Sequence, residues 1–188
     1  HAIGVYGMSA ITALTAQNTR GVSGIHAVPP DFVAEQIDTT VADIRPDAVK
    51  TGMLANRAIV EIVTAAVDRH RFTTFVVDPV MVSTSGSLLL EEDAVEAVRR
   101  LLVPRATILT PNGPEAAALT GRTVETPADQ EAAARSLVED SGAAAVLVKG
   151  GDLEGDDVVD VYFDGQQWVR FVEPRIRTTS THGSGCAL

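Results

Sequence analysis

Phe75-Val76-Val77-Asp78-Pro79 decides the fold, because three consecutive apolar residues are followed at once by an acid and a proline. Strands buried on both faces have continuous apolar runs, as in a parallel sheet that helices cover. The same pattern of consecutive apolar residues predicts further strands over residues 11–16, 48–51, 107–109 and 145–148. The stretch at Phe75 is thus predicted to be one strand of a mostly parallel sheet.

The segments between these runs have the periodicity of amphipathic helices. Four helices are predicted, with an N-cap or first residue at Asp31, Asn56, Glu91 and Thr126. The third stops at Leu102, before Pro104, and the fourth opens with a capping box between Thr126 and Asp129 and ends near Gly142. Alternation of strand and helix predicts one α/β domain over residues 1–188, with a mostly parallel central sheet between two helical layers.

The last third of the chain has a different pattern. Residues 158–163 and 167–172 flank Asp164-Gly165, a dipeptide that favours tight turns. This segment is predicted to be a β-hairpin.

The composition excludes several classes of protein. The 188 residues carry 25 acidic and 15 basic side chains, a net charge of -10, which disfavours nucleic acid as a partner. No apolar run approaches the ~20 residues that span a bilayer, so no membrane partner is expected. The single cysteine, Cys186, cannot form an intrachain disulfide, which fits a cytoplasmic location.

Polar residues follow the predicted strands at the sheet edge where open parallel sheets bind ligands. They are Asp78, Asn112 with Glu115, Lys149, and the turn Gly183-Ser184-Gly185. Each also has a plain structural interpretation. Asp78 could be a turn former, Asn112 a helix N-cap with Glu115 as its capping-box partner, and Lys149 a solvated charge.

Together these residues suit phosphoryl transfer. Asp78 and Glu115 can hold Mg²⁺, which prefers oxygen ligands, and Lys149 can place a positive charge on a phosphate. The backbone N–H groups of the glycine turn can face a transferring phosphoryl group. Cys186 would begin the following helix, where its thiolate is favoured and could act as a general base. The alternative for Cys186 is a small buried structural residue.

Thr181-His182-Gly183-Ser184-Gly185-Cys186 resembles the glycine-rich signature, ending in cysteine, of hydroxymethylpyrimidine/phosphomethylpyrimidine kinases. These are thiamine-pathway enzymes of the ribokinase-like superfamily. Further segments resemble the family in the same order along the chain: Tyr6-Gly7-Met8-Ser9, residues 12–19, Lys50-Thr51-Gly52-Met53-Leu54, Val77-Asp78-Pro79-Val80-Met81, Thr110-Pro111-Asn112 with Glu115, and Lys149-Gly150-Gly151. The resemblance covers essentially the whole chain and implies the ribokinase-like fold.

The resemblance also implies a role for each matching site residue. Gln17 hydrogen-bonds the aminopyrimidine, Met53 lies against its ring and Val80 lines the pocket. Asp78 and Glu115 belong to the metal site, and Lys149, Asn112 and Thr181 bind the nucleotide or its phosphates. Gly183, Ser184 and Gly185 form the anion hole beside Cys186 as the base. Ser184 replaces a commoner threonine, and Gly113 replaces a usual apolar residue.

The expected activity is therefore phosphorylation of 4-amino-5-hydroxymethyl-2-methylpyrimidine and its monophosphate, with ATP and Mg²⁺. A pyridoxal or pyridoxine kinase of the same fold and a non-catalytic pyrimidine-binding protein are the alternatives. The resemblance further implies a possible homodimer. The family has an N-terminal strand and loop and several C-terminal helices that this chain does not match, so the chain is expected to be an excerpt.

Overall fold

The computed structural model describes residues 4–81 and 90–178, which form an antiparallel pair of strands, a six-stranded sheet and its helices. The elements in chain order are β1 (Ala13–Asn18), β2 (Gly21–Ala27), α1 (Pro30–Asp43), β3 (Val49–Thr51), α2 (Arg57–His70), β4 (Phe75–Val77), α3 (Glu92–Ala97), β5 (Ile108–Leu109), α4 (Gly113–Thr120), α5 (Pro127–Glu139), β6 (Val146–Val148), β7 (Asp157–Phe163) and β8 (Trp168–Pro174).

The six-stranded sheet confirms the predicted mostly parallel architecture. Strands β3, β4, β5 and β6 are neighbours in that order and run parallel. Strands β7 and β8 continue the sheet in antiparallel pairing and form the predicted hairpin. Its turn is held by Asp164, whose Oδ1 accepts from the backbone N–H groups of Gln166 and Gln167.

The described helices bury one face of this sheet. Helix α5 packs on β6 and β7, and α2 packs on α1 and α3. The strand residues of the covered face are fully buried, and they include Val77, Leu109, Val146, Val148 and Val161. Their neighbours on the opposite face are half-buried, and they include Val76, Ile108, Leu147 and Tyr162.

Two of the predicted helix starts are confirmed by their caps. The Asn56 side chain accepts from the backbone N–H of Ile59 at 3.1 Å. Thr126 and Asp129 form the predicted capping box of α5. The prediction of Asp31 as an N-cap was wrong. The N-cap of helix α1 is Pro29, two residues earlier, and Asp31 lies in the first turn of the helix.

The third helix ends at Leu102, as predicted, and its last part is a π-helical turn, Val98–Leu102, that continues α3. A separate 3-10 turn, Val103–Arg105, follows directly. Pro104 lies at the start of this 3-10 turn, where it is tolerated because the first residues of a helix need no N–H partner.

The strand predicted over residues 11–16 is placed differently. Strand β1 begins at Ala13 and pairs antiparallel with β2, outside the main sheet, and most of its side chains are exposed. The turn between them is set by Asn18, whose Oδ1 accepts from the backbone N–H groups of Arg20 and Gly21. The Thr12 hydroxyl donates to the Met53 carbonyl at 2.6 Å and ties this hairpin to the loop after β3.

No helix within residues 4–81 and 90–178 is long and apolar enough to cross a membrane.

Candidate active site

The polar residues predicted at the strand ends lie at one edge of the sheet and on one of its faces. In the parallel register Lys50 pairs with Val76 and Val76 with Ile108, while Asn112 pairs with Lys149. Side chains two residues apart along a strand point to the same face. Lys50, Asp78, Thr110, Asn112 and Lys149 therefore project on the half-buried face.

Asp78 is the centre of this group. Its side chain is 2% exposed, its Oδ1 lies 3.1 Å from the Lys149 ammonium, and its Oδ2 lies 3.1 Å from the Lys50 ammonium. The Thr110 hydroxyl donates to Oδ1 at 3.3 Å. A carboxylate this deeply buried needs such partners, because an unpaired buried charge is very unfavourable. Lys149 is itself 9% exposed, so it is no solvated end-of-strand charge.

Lys50 is a member of the group that the sequence analysis did not single out. It lies in the middle of β3 rather than after a strand end, so the search along strand ends missed it. One signal was available in the sequence. Lys50 and Lys149 are the only lysines among the 15 basic residues of the chain, and both contact the same carboxylate.

Asn112 and Glu115 form the capping box of α4. The Asn112 side chain accepts from the Glu115 backbone N–H at 2.8 Å, and Glu115 Oε2 accepts from the Asn112 backbone N–H at 2.8 Å. The interpretation of Asn112 as a helix N-cap is therefore confirmed. Its predicted binding of the nucleotide stays a prediction.

Glu115 has an unusual protonation equilibrium. Its side chain is 4% exposed, and burial raises its pKa to about 7. The Asn112 N–H and the positive charge of Lys149 oppose that rise, and the negative charge of Asp78 adds to it. Both acids lie near Lys149, because Asp78 contacts its ammonium and Glu115 accepts from the backbone N–H of Asn112, which pairs with Lys149.

Two neighbouring carboxylates fit a magnesium ion. Within residues 4–81 and 90–178 no group of three or more His, Cys, Asp or Glu side chains could hold a metal by itself. Mg²⁺ commonly binds through one or two carboxylates, with waters and substrate phosphates completing its shell. Asp78 and Glu115 are the two carboxylates that could serve in this way, and their role as magnesium ligands stays a prediction.

The backbone on both sides of Lys149 takes part in a network of hydrogen bonds. Gln130 of α5 is fully buried, and its Nε2 donates to the carbonyls of Val148 at 3.2 Å and Val159 at 2.9 Å. The Gly150 backbone N–H donates to Asp160 Oδ1 at 2.8 Å. A Cβ on Gly150 would lie 2.1 Å from the Val159 carbonyl oxygen, so only glycine fits. In the sequence Gln130 is an ordinary residue of a predicted helix, and no sequence pattern indicates its hydrogen bonds to Val148 and Val159.

The residues predicted to bind the pyrimidine come from three places: Gln17 lies in β1, Met53 follows β3 and Val80 follows β4. Gln17 is exposed in β1, and its Oε1 lies 3.4 Å from the Thr15 hydroxyl. Met53 is partly buried against the core, and the half-buried Val80 donates its backbone N–H to the Asp78 carbonyl at 2.9 Å. A cavity between the ends of β3 and β4 measures ≈ 10 Å³. That is about the space of one water molecule and far too small for a pyrimidine ring.

The remaining predicted residues lie outside the described ranges. They are Thr181, Gly183, Ser184, Gly185 and Cys186. Their roles rest on the sequence alone.

Comparison with known proteins shows which structural class and which family this chain resembles. The structure resembles an ADP complex of Bacillus subtilis pyridoxal kinase with a TM-score of 0.86 and 33% identity, covering 97% of this chain and 69% of that one. The α/β fold and its mostly parallel sheet are those of the ribokinase-like small-molecule kinases. Within that class, the chain belongs to the phosphomethylpyrimidine kinase family, which it matches over residues 1–188.

Two curated relatives agree with this membership. The hydroxymethylpyrimidine/phosphomethylpyrimidine kinase of Bacillus subtilis is 45% identical over 98% of this chain, which spans 68% of that protein. A thiamine biosynthesis bifunctional protein of Geobacter sulfurreducens is 49% identical over 99% of this chain, which spans 38% of that protein. The predicted family is thereby confirmed.

Proposed function

We propose that the protein is an ATP-dependent kinase of thiamine biosynthesis. It phosphorylates the hydroxymethyl group of 4-amino-5-hydroxymethyl-2-methylpyrimidine and then the resulting monophosphate. The observation that carries this proposal is the buried Asp78 carboxylate between two ammonium groups, beside Glu115, in a chain of this family. A site with these charges suits a phosphoryl donor and its metal.

Roles for the residues around the donor are proposed from their charge and position. The Lys149 ammonium would move away from Asp78 to contact the nucleotide phosphates. The backbone of Asn112 pairs with that of Lys149, so Asn112 would bind the nucleotide next to Lys149. Asp78 and Glu115 would hold Mg²⁺, which, when bound, neutralises negative charge on the phosphates. Thr181 would contribute to the same phosphate region.

The acceptor would lie on the β3 side. A carboxamide both donates and accepts, so Gln17 would hydrogen-bond the aminopyrimidine edge. Met53 and Val80 would pack against the ring. The Thr12–Met53 hydrogen bond supports this arrangement, because it connects the hairpin that carries Gln17 to the loop that carries Met53.

In the first transfer, the hydroxymethyl oxygen attacks the γ-phosphorus of ATP and the bond to the β–γ bridging oxygen breaks. The hydroxyl proton passes to the Cys186 thiolate, and ADP leaves. Gly183, Ser184 and Gly185 would direct backbone N–H groups at the transferring phosphoryl group. In the second transfer, the attacking atom is an oxygen of a phosphomonoester, which is already ionised near neutral pH and needs no base.

The first test is a coupled ATPase assay on the full-length protein with the aminopyrimidine, its monophosphate and pyridoxal. Pyrimidine-dependent ADP release is expected. Binding of the pyrimidine in a calorimeter without ADP release would instead support a non-catalytic binding protein.

Cys186→Ala is the second test. We expect kcat for the first transfer to fall about 10²–10⁴-fold, the usual contribution of a general base. The second transfer should fall much less, because its nucleophile carries no proton at the attacking oxygen. Unchanged turnover of the aminopyrimidine would remove Cys186 from the mechanism.

Pyridoxal phosphorylation is the second candidate activity, because the resemblance to a solved pyridoxal kinase extends over 97% of the chain. The ratio of kcat/KM for the aminopyrimidine and for pyridoxal decides between the two. We expect the ratio to favour the aminopyrimidine, in line with the curated relatives.

We also propose that residues 1–188 belong to one domain, that the protein acts in the cytosol, and that it forms a homodimer. Limited proteolysis of the full-length protein tests the domain, fractionation of cells tests the location, and light scattering tests the dimer.

A further inference from the structure

The chain between β6 and β7 forms a loop that begins next to Lys149. It comprises residues 150–156 and is called the 150–156 loop below. The Leu153 backbone N–H donates to the Gly150 carbonyl at 3.1 Å, so the loop turns back directly after Lys149. Gly155 has a φ of 133°, a conformation that favours glycine, and it turns the chain into β7. The loop therefore has a defined path beside the lysine that is proposed to contact the nucleotide phosphates.

Arg175, directly after β8, holds this loop with its whole guanidinium group. Its Nε donates to the Gly155 carbonyl at 2.9 Å, its Nη1 to the Gly151 carbonyl at 2.8 Å, and its Nη2 to the Leu153 carbonyl. Its backbone N–H donates to the Asp156 carbonyl at 2.8 Å. The side chain is half-buried. Arg175 thus connects the end of the hairpin to carbonyls along most of the loop.

The residue type at position 175 suits this task. Carbonyls at alternate residues of the loop converge on one planar group, and arginine presents its N–H donors in a fixed fork that can reach several acceptors at once. A lysine ammonium is a compact charge and cannot span the same set. A loop with three glycines also loses much conformational freedom when it is ordered. The hydrogen bonds of Arg175 offset that cost.

The middle of the loop contacts the start of α4. Gly113, the residue after Asn112, is buried, and a Cβ on it would lie 3.4 Å from Leu153 Cδ2. Since Gly113 has no Cβ, the Leu153 side chain can pack directly on the first turn of α4. The Leu153 carbonyl is also one of the three acceptors of Arg175. Contacts therefore lead from Arg175 through Leu153 to the residue next to Asn112.

We propose that Arg175 is a positioning residue for the nucleotide. By holding the 150–156 loop, it fixes Lys149 at the start of the loop relative to Asn112 beneath its middle. The proposal rests on the proposed function, in which Lys149 and Asn112 bind ATP. Arg175 acts through the loop and touches no substrate. Binding to a loop that is already held loses less conformational entropy, so ATP binds more tightly when Arg175 is present.

A simpler role would be to stabilise the end of the β7–β8 hairpin. In that case the loss of Arg175 would lower the melting temperature and leave the KM for ATP of the folded protein unchanged. A positioning residue raises the KM for ATP and leaves kcat and the KM for the aminopyrimidine nearly unchanged, because the acceptor binds at other residues. The two roles therefore differ in the ratio of the two KM values.

The experiment compares Arg175→Met, Arg175→Lys and wild type in the full-length enzyme. Arg175→Met keeps an apolar stem and removes the side-chain hydrogen bonds. We expect its KM for ATP to rise about tenfold, the scale of one hydrogen bond from a charged donor, with kcat within about threefold of wild type. Arg175→Lys keeps the charge without the fork and should restore ATP binding only in part. Calorimetric titration with a non-hydrolysable ATP analogue should give the same order of affinities without turnover.

Arg177→Gln is the matched control. Arg177 also pairs with the 150–156 loop, but its side chain is 82% exposed and that of its partner Asp156 is 91% exposed. Exposed pairs contribute little, so the KM for ATP should equal that of wild type.

A double-mutant cycle tests whether Arg175 acts through the loop. Leu153→Ala removes the contact with α4 and should raise the KM for ATP by itself. Combined with Arg175→Met, it should add little, because both changes release the same loop.

An unchanged KM for ATP in folded Arg175→Met would overturn the proposal and leave Arg175 a tie of the hairpin. Equal rises of the KM for ATP and for the aminopyrimidine would overturn it as well, and so would additive effects in the double variant. If Arg175→Met does not fold, Arg175→Lys and Leu153→Ala provide the same comparison of the two KM values. A wild-type enzyme that neither binds the ATP analogue nor phosphorylates the aminopyrimidine would instead refute the proposed function.

Discussion

At the scale of single residues, Glu115 should dominate the pH dependence of stability. Its pKa rises from 4.5 to about 7 on folding, so the native state binds a proton more tightly than the unfolded chain. This stabilisation is complete below pH ~4.5 and is lost as the pH rises through about 7, in total about 3 kcal/mol. Denaturant unfolding of the full-length protein without Mg²⁺, between pH 5 and 8, measures it.

Glu115→Gln should flatten that dependence. Glutamine is neutral throughout and still completes the capping box with Asn112, so the helix start is kept. Glu139→Gln, at an exposed residue of α5, is the control and should keep the wild-type profile. The same slope in wild type and Glu115→Gln would contradict the raised pKa.

Gly150 should be the most sensitive glycine of the site. A methyl group there would lie 2.1 Å from the Val159 carbonyl oxygen, so β6 or β7 must move and Lys149 with it. We expect Gly150→Ala to cost about 1–3 kcal/mol, as overpacked positions do, and to lower kcat. Gly151→Ala is the matched control, because a Cβ there meets nothing within 4 Å. Thermal melting and turnover measure both, and equal behaviour of the two variants would refute the argument.

The residues of the site differ in how well the sequence predicts them. Asp78, Glu115 and Lys149 are predictable because each follows an apolar run, and parallel strands bring their carboxyl ends together. Lys50 was missed because its place depends on the register of β3 against β4, which no local pattern reveals. Gln130 was missed because its two acceptors come from strands 18 and 29 residues away.

At the scale of secondary-structure elements, α4 and α5 offer a matched pair of caps. Both helices begin with a complete capping box, Asn112 with Glu115 and Thr126 with Asp129. Asn112→Ala and Thr126→Ala should each cost about 1 kcal/mol of unfolding free energy. If Asn112 also binds the nucleotide, only Asn112→Ala should raise KM for ATP.

Asn112→Ser separates the two roles of that residue. Serine caps a helix about as well as asparagine, so stability should return while KM for ATP stays high. Denaturant unfolding and steady-state kinetics on the full-length enzyme give the two readouts. A normal KM for ATP in Asn112→Ala would restrict Asn112 to its capping role.

Elements with local signals were predicted well, and elements defined by distant partners were not. The capping boxes and the Asp164-Gly165 turn are set within a few residues, so α5 and the β7–β8 hairpin follow from the sequence. Strand β1 has the same apolar pattern as the buried strands. It lies outside the main sheet because it pairs with β2, and the sequence of β2 has no pattern that predicts a strand.

At the scale of the whole molecule, stability should be distributed very unevenly. The β1–β2 hairpin exposes most of its side chains, among them Leu14 at 57%. Strand β5 lies in the middle of the parallel sheet, and its Leu109 is fully buried. Regions with few buried contacts open locally at a free energy well below that of global unfolding. The hairpin should therefore open without the rest of the domain.

Native-state hydrogen exchange on the full-length protein tests this distribution, together with a pair of leucine truncations. Amides of β4, β5 and β6 should exchange only through global unfolding, and those of β1 and β2 much faster. Leu109→Ala should cost about 2–5 kcal/mol, because it leaves a cavity in the core, and should speed exchange throughout the sheet. Leu14→Ala should cost less than about 1 kcal/mol, because little apolar surface is lost from the interior. Exchange in the hairpin as slow as in β5, or a large cost of Leu14→Ala, would mean that the hairpin folds as part of the core.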